Sequence, residues 1–247
     1  CYMKKKIGIL LQIGFGLALL LECVALYKSR FHYYDFARLL TSIILLIYVF
    51  KRKELKFIRL YFYIGLSFVV LADILTLFFF DVWFYIGISL FTFSYLSFAA
   101  IFFRYRQIKE RKNIPTVLPL LAVFLTILLA LYYYIPGVRD TITMIQCAVH
   151  VIVLGIILVW SFKGNRRTKG KNPYFFPAAI GIVLANIAYA VDVNLINRKY
   201  VLLDVLVVLL HGTYLLLLAN AVNTYKKTEE PEAVKHHSES RHRHRHR

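Results

Sequence analysis

An all-α fold of eight membrane-spanning helices is the architecture this sequence predicts, and three observations carry the prediction. Apolar residues make up 60% of the 247-residue chain, with a mean hydropathy of +0.62. A soluble domain of this size has too few polar residues to cover that much apolar surface. The apolar residues also fall in long runs such as Ile7 to Tyr27, and ~20 of them in a helix cross a hydrocarbon layer of ~30 Å. Finally, the basic residues gather in bursts between alternate runs, which is the pattern membrane topology leaves in a sequence.

The elements follow in order. Lys4, Lys5 and Lys6 precede the first expected helix, 7–27. This segment resembles a signal peptide, but the run is long and lacks a small-x-small site, so an uncleaved helix is expected, with Met3 as the natural start. Lys28 and Arg30 lead into helix 33–50, and Lys51, Arg52, Lys53, Lys56 and Arg59 separate it from helix 60–79. The connection near Asp81 is very short, so 60–79 and 83–103 form a tight antiparallel hairpin. Arg104, Arg106, Lys109, Arg111 and Lys112 precede helix 115–134, with Pro115 at a start where its missing N–H costs little. Pro136-Gly137 reads as a turn into helix 141–162. Lys163, Arg166, Arg167, Lys169 and Lys171 come next, then helix 174–196, with Pro177 near its start, and helix 201–224.

Together with Lys226 and Lys227, twenty basic residues occupy one set of ends. Only six (Lys28, Arg30, Arg38, Arg139, Arg198 and Lys199) occupy the other. The positive-inside rule then describes a multi-pass protein of an inner or plasma membrane with both termini cytoplasmic. Residues 1–225 form the transmembrane domain. Residues 226–247 turn acidic, then alternate Arg and His to end RHRHRHR; such a tail cannot bury a core and is expected to be disordered.

The formal charge of +18 does not indicate nucleic-acid binding, because it is distributed between helices instead of over one face. Cys1, Cys23 and Cys147 form no CxxC pair and read as small apolar residues. No metal and no cofactor is expected.

Polar residues inside the runs carry the functional argument. At ~1.5 Å rise per residue, Asp73 lies ~20 Å, Asp192 ~25 Å and Glu22 ~22 Å from the cytoplasmic edge. Arg38, Gln146, His150, Asp204 and His211 fall in the first halves of inward-running helices, so all of these groups share the outer half. They can line one polar cavity open to the non-cytoplasmic side. An ionised carboxylate in hydrocarbon is costly, which makes Asp73 and Asp192 the candidate catalytic residues. Asp204 suits the dipole of its helix start. His150 and His211 read first as packed neutral imidazoles. Glu22 can snorkel to the outer interface, and Arg38 compensates one of the acids or reaches a lipid phosphate. The halves echo each other, since Asp73 to Tyr95 and Asp192 to Tyr214 both span 22 residues. That spacing is compatible with a parallel four-helix repeat.

Several chemistries are excluded. No Lys lies mid-depth in the last two helices for a retinal Schiff base, and GxSxG, HExxH and P-loop motifs are missing. Acid chemistry and ion coupling remain. Two carboxyl groups in a partly dry cavity can divide the roles of acid and base, or carry protons for a transporter. The pattern alone does not choose between them.

The run Gly65-Leu66-Ser67-Phe68-Val69-Val70-Leu71-Ala72-Asp73-Ile74-Leu75 resembles the glycine-to-aspartate helix of the YhhN family, the lysoplasmalogenase-like membrane proteins. Phe84-x-x-Gly87-Ile88-x-x-Phe91 is similar to that family's next helix, Asp192 to its second aspartate, and Thr213-Tyr214 to the Thr-Tyr of its last helix. The likeness covers about residues 7–224. Some positions depart from it. Arg38-Leu39 stands for a Lys-Pro, Tyr95 for a His, Phe98 for a Tyr, Ala72 for a Gly, Val191 for a Ser and Leu218 for a Gln.

The resemblance implies hydrolysis of the vinyl-ether bond of a lysoplasmalogen-type membrane lipid, with an aldehyde and a glycerophospho-head group as products. One aspartic acid would protonate the enol-ether carbon; the other, ionised, would stabilise the cation and direct water to it. Arg38, Tyr95, His150, His211 and Tyr214 would bind this lysophospholipid-like substrate. The alternatives are a proton-coupled lipid or small-molecule transporter and a catalytically silent lipid-binding relative. Oligomeric state is not encoded in any pattern noted above.

Overall fold

A computed structural model describes residues 2–28, 31–50, 56–78, 83–106, 141–168, 172–194 and 200–225. Among these residues every regular element is a helix: α1 Tyr2–Tyr27, α2 Phe31–Phe50, α3 Lys56–Phe78, α4 Trp83–Arg106, α5 Thr141–Thr168, α6 Phe175–Asn194 and α7 Val201–Thr224. The expected helix 115–134 and the tail 226–247 lie outside the described residues.

The helices outrun the apolar segments on which they were expected. Helix α1 takes in Lys4–Lys6, α3 begins at Lys56, α4 ends at Arg106, and α5 continues to Thr168 beyond Arg166 and Arg167. Hydropathy marks where the apolar surface stops, whereas backbone hydrogen bonding carries the helix on through residues of good propensity. These basic extensions all fall at one end of the bundle, the basic end. At the opposite end α1, α3 and α6 finish and α2, α4, α5 and α7 begin.

Four stretches are long and apolar enough to cross a membrane: Lys6–Tyr27, Phe57–Leu75, Ile145–Asn165 and Val201–Thr224. Helices α2 and α6 carry shorter apolar stretches, Phe36–Val49 and Phe175–Val191. The bundle's outer surface is apolar, with Leu10, Leu17, Leu20 and Leu202 among its most exposed side chains. Such a surface belongs in lipid, and the chain is a membrane protein.

Neighbouring helices pack as α1 on α2, α3 on α4, α4 on α5 and α6 on α7, while α7 also reaches α1, α2 and α3. Gly65, Gly164, Gly181 and Gly212 each let a neighbouring helix approach closely, and two of them lie in sequential hairpins. A methyl group at Gly65 would overlap the fully buried Phe98 ring, and one at Gly181 would lie 2.8 Å from Tyr214 Cβ. In each hairpin the covering ring stands the same number of positions after its glycine. Helix association in lipid depends on this kind of small-residue contact, because burial from water contributes nothing there.

Aromatic rings fill the basic half. Tyr105 stacks on Phe175 at 4.3 Å, Phe102 meets Phe175 edge-on, and Phe62 lies against Phe98. The same half has a polar clasp. Gln12 Nε2 donates to Tyr48 Oη (2.9 Å) and Asn220 Oδ1 (2.8 Å), and the Tyr48 hydroxyl donates to the same Asn220 oxygen (2.6 Å). Asn172 turns the chain into α6: its Oδ1 accepts the Tyr174 N–H, and its Nδ2 donates to Ala221 O on α7. Pro177 then falls in the first turn of α6, where backbone N–H groups have no intrahelical acceptor.

Candidate functional site

The remaining polar side chains meet at the end opposite the basic one. Asp73, one turn from the end of α3, has a side chain only 2% exposed, and Arg38 Nε of α2 lies 2.7 Å from its Oδ1. Arg38 Nη1 donates to Tyr34 Oη at 3.0 Å, one turn back on α2. Its guanidinium also stands over the Tyr34 ring, 5.8 Å from the centroid. Arg38 therefore compensates an acid, the first of the two roles expected for it. The planar guanidinium suits this task because it offers donors in several directions from one charge.

Glu22 takes the inward of the two places the sequence left open to it. It does not snorkel outward: it is 5% exposed, on the face of α1 turned to α2, within electrostatic reach of both Arg38 and Asp73. Three helices thus bring two carboxyl groups and one guanidinium into a single buried cluster.

A hydrogen-bonded chain approaches this cluster from the other four helices. Thr92 Oγ1 on α4 lies 2.9 Å from His150 Nδ1 on α5, and His150 Nε2 lies 2.9 Å from Asn186 Oδ1 on α6. Asn186 Nδ2 donates to Ile182 O (2.7 Å) and Tyr95 Oη (2.9 Å). Tyr95 Oη is 3.5 Å from Tyr214 Oη, and Tyr214 Oη is 3.3 Å from His211 Nδ1 on α7.

The carbonyl of Ile182 fixes the whole arrangement. A carbonyl only accepts, so the Asn186 amide must face it with nitrogen, which turns Oδ1 toward His150. His150 must then donate from Nε2, and in the neutral ring its Nδ1 is left to accept the Thr92 hydroxyl proton. Gln146 Nε2 donates to Ser89 Oγ at 3.0 Å one turn away, a second rung between α4 and α5. Phe91 closes the side of the chain, edge-on to His211 and stacked on Tyr95. Both His211 and Tyr214 are within electrostatic reach of Arg38, so the chain and the charged cluster form one polar region.

Five of the seven residues singled out in the sequence are thereby linked around this region: Arg38, Asp73, Tyr95, His211 and Tyr214. His150 joins them through Asn186. Asp192 lies near the end of α6, the same end of the bundle, and its side chain lies outside the described residues. Asp204 sits in the first turn of α7, as its helix-dipole reading requires. Asn186, Thr92 and Tyr34 were missed. Asn186 carried the same signal as Gln146, being an amide in the middle of an apolar run. Among the described residues no three His, Cys, Asp or Glu side chains group as a metal would need. Cys23 and Cys147 are not in disulfides.

A family model described as the YhhN family matches residues 33–216. The chain belongs to the YhhN family. The matched YhhN segment contains Arg38, Asp73, the Thr92-to-Tyr214 chain and Asp192, and it begins after Glu22. Neither the curated proteins nor the solved structures include one that matches the chain. At one position inside the matched segment where the sequence departs from the likeness described above, the structure shows the consequence. Tyr95, in place of a His, is fully integrated in the hydrogen-bonded chain. Leu218, just beyond the matched segment, is fully buried in the apolar core.

Proposed function

We propose that this YhhN protein is a membrane-embedded hydrolase that cleaves the vinyl-ether bond of lysoplasmalogen-type lipids. The observation that carries the reading is the Arg38–Asp73 pair at 2.7 Å, its carboxylate buried, in a chain of the YhhN family. Protonation of the enol-ether carbon creates an oxocarbenium-like cation, and a fixed carboxylate beside that cation lowers its energy most where water is excluded. Asp73, held by Arg38, is that carboxylate. Asp192, the second YhhN aspartate, acts on the attacking water. Arg38 retains a partly exposed edge for the lipid phosphate. Tyr95, His150, His211 and Tyr214 shape the pocket around the head group.

In the same reading the chain crosses an inner or plasma membrane eight times, with 115–134 as the fifth span and both termini cytoplasmic. The two glycine-on-ring hairpins support a repeat between the halves, in a register one turn away from the Asp-to-Tyr echo. Binding without turnover is the second reading, favoured by Tyr95 where the likeness to the YhhN family has a His.

The test is aldehyde release from a synthetic lysoplasmalogen by the protein purified in detergent. Aldehyde from the vinyl ether, and none from the saturated alkyl-ether lipid, is the expected result. Lipid binding without aldehyde would replace this reading by the second one. Movement of lipid across a vesicle in step with a pH gradient would replace it by transport.

A further inference from the structure

Glu22 is unlike the rest of the polar region. It precedes the segment shared with the YhhN family, yet it reaches the charged cluster from α1. It is 5% exposed, and among the described residues it forms no ion pair, while both Arg38 and Asp73 are within its electrostatic reach. Arg38 is already engaged, through Nε by Asp73 and through Nη1 by Tyr34. A single guanidinium therefore stands against two carboxyl groups in a largely apolar bundle, and the cluster is electrically neutral when it holds one proton. Asp73 has the ion pair, so Glu22 is the natural seat of that proton. A protonated carboxyl group beside an ionised one is the arrangement by which paired acids divide donor and stabiliser roles.

We propose that Glu22 is the proton donor of the vinyl-ether reaction. This rests on the hydrolase reading above and adds to it a catalytic residue outside the family segment. The Glu22 carboxyl proton forms a C–H bond at the enol-ether carbon remote from oxygen, whose π electrons supply the pair. The cation left on the adjacent carbon and its oxygen faces the Asp73 carboxylate. Water adds to that carbon and loses a proton to Asp192, giving a hemiacetal. Asp192 returns this proton to the departing glycerol oxygen as the C–O bond breaks, and the hemiacetal hydroxyl proton passes to the Glu22 carboxylate. One water is consumed, an aldehyde and an alcohol form, and all three carboxyl groups end as they began.

The experiment measures single-turnover aldehyde formation by the wild type, Glu22→Gln and Glu22→Asp, with lysolipid binding followed separately. General acid catalysis contributes about 10²–10⁴-fold, so Glu22→Gln is expected to lose at least about 100-fold in rate. Lipid binding stays intact, and added formic acid, small enough to supply the proton, restores part of the rate. Glu22→Asp keeps the acid and serves as the folding control; it retains far more of the rate than the amide variant. Wild-type turnover that Glu22→Gln retains, or an equal loss in both variants, overturns the donor assignment while the hydrolase reading stands. A loss that formic acid leaves unchanged, with binding intact, overturns it as well. Absence of aldehyde from the wild type overturns both.

Discussion

Replacing Arg38 by Met is the most informative single perturbation of the charged cluster. Met keeps an unbranched stem of similar length but removes the guanidinium, its 2.7 Å contact with Asp73 and its bond to Tyr34. The Asp73 side chain is 2% exposed, so water cannot readily replace the lost partner. Breaking a buried pair by removing one member costs about 3–5 kcal/mol, because the other charge stays buried without compensation. A chain of this length shifts its melting temperature by roughly 2–4 °C per kcal/mol, so Arg38→Met should melt roughly 6–20 °C below wild type. Adding Asp73→Leu to the same chain removes the stranded charge. The double variant should regain most of the lost stability, since apolar replacement of a whole buried pair is often neutral. Thermal unfolding of the three proteins in one detergent measures both effects. A single variant within about 1 kcal/mol of wild type, the usual size for an exposed pair, would refute the reasoning. A double variant no more stable than the single one would do the same.

Three further substitutions probe the frame around the site. Gly65→Ala should destabilise by about 1–3 kcal/mol through overpacking against Phe98, and Phe98→Leu should relieve part of it; melting curves of the single and double variants decide. Asn186→Leu removes donors from Tyr95 and Ile182 and an acceptor from His150. Stranding buried polar groups costs about 1–3 kcal/mol, and an unchanged melting temperature would mean the chain through Asn186 is not formed. Gln12→Leu breaks the clasp with Tyr48 and Asn220 at the far end, so it should lower stability without altering the affinity for lysolipid. Equilibrium binding beside the melting curve separates the two effects.

The helical frame was readable because long apolar runs and basic bursts mark spans and ends directly. Each of the seven described helices overlaps an expected one, with α7 starting and ending where residues 201–224 indicated. The depth of the polar groups was also readable, since rise per residue converts position into height. What depth does not give is the direction a side chain points around its helix. Helix α1 is apolar on nearly all sides, so nothing in its sequence marks which face is buried, and Glu22 was left between the polar cavity and the interface. Pairing was only half readable: Arg38 had to compensate an acid, but the sequence offered several. The internal echo shows the same limit. Matched spacing from aspartate to tyrosine suggested one register, whereas packing of Phe98 on Gly65 and Tyr214 on Gly181 follows another, because close helix contact is set by the small residue beneath a ring.

The central claim is that the Arg38–Asp73 cluster is the hydrolytic centre, and aldehyde release by wild type and Asp73→Asn, run side by side on one synthetic lysoplasmalogen, tests it most directly. Asn keeps the size and shape of the side chain but carries no charge to stabilise the cation. The account predicts aldehyde from the wild type and none above background from a folded, lipid-binding Asp73→Asn. Equal aldehyde from both proteins would contradict it.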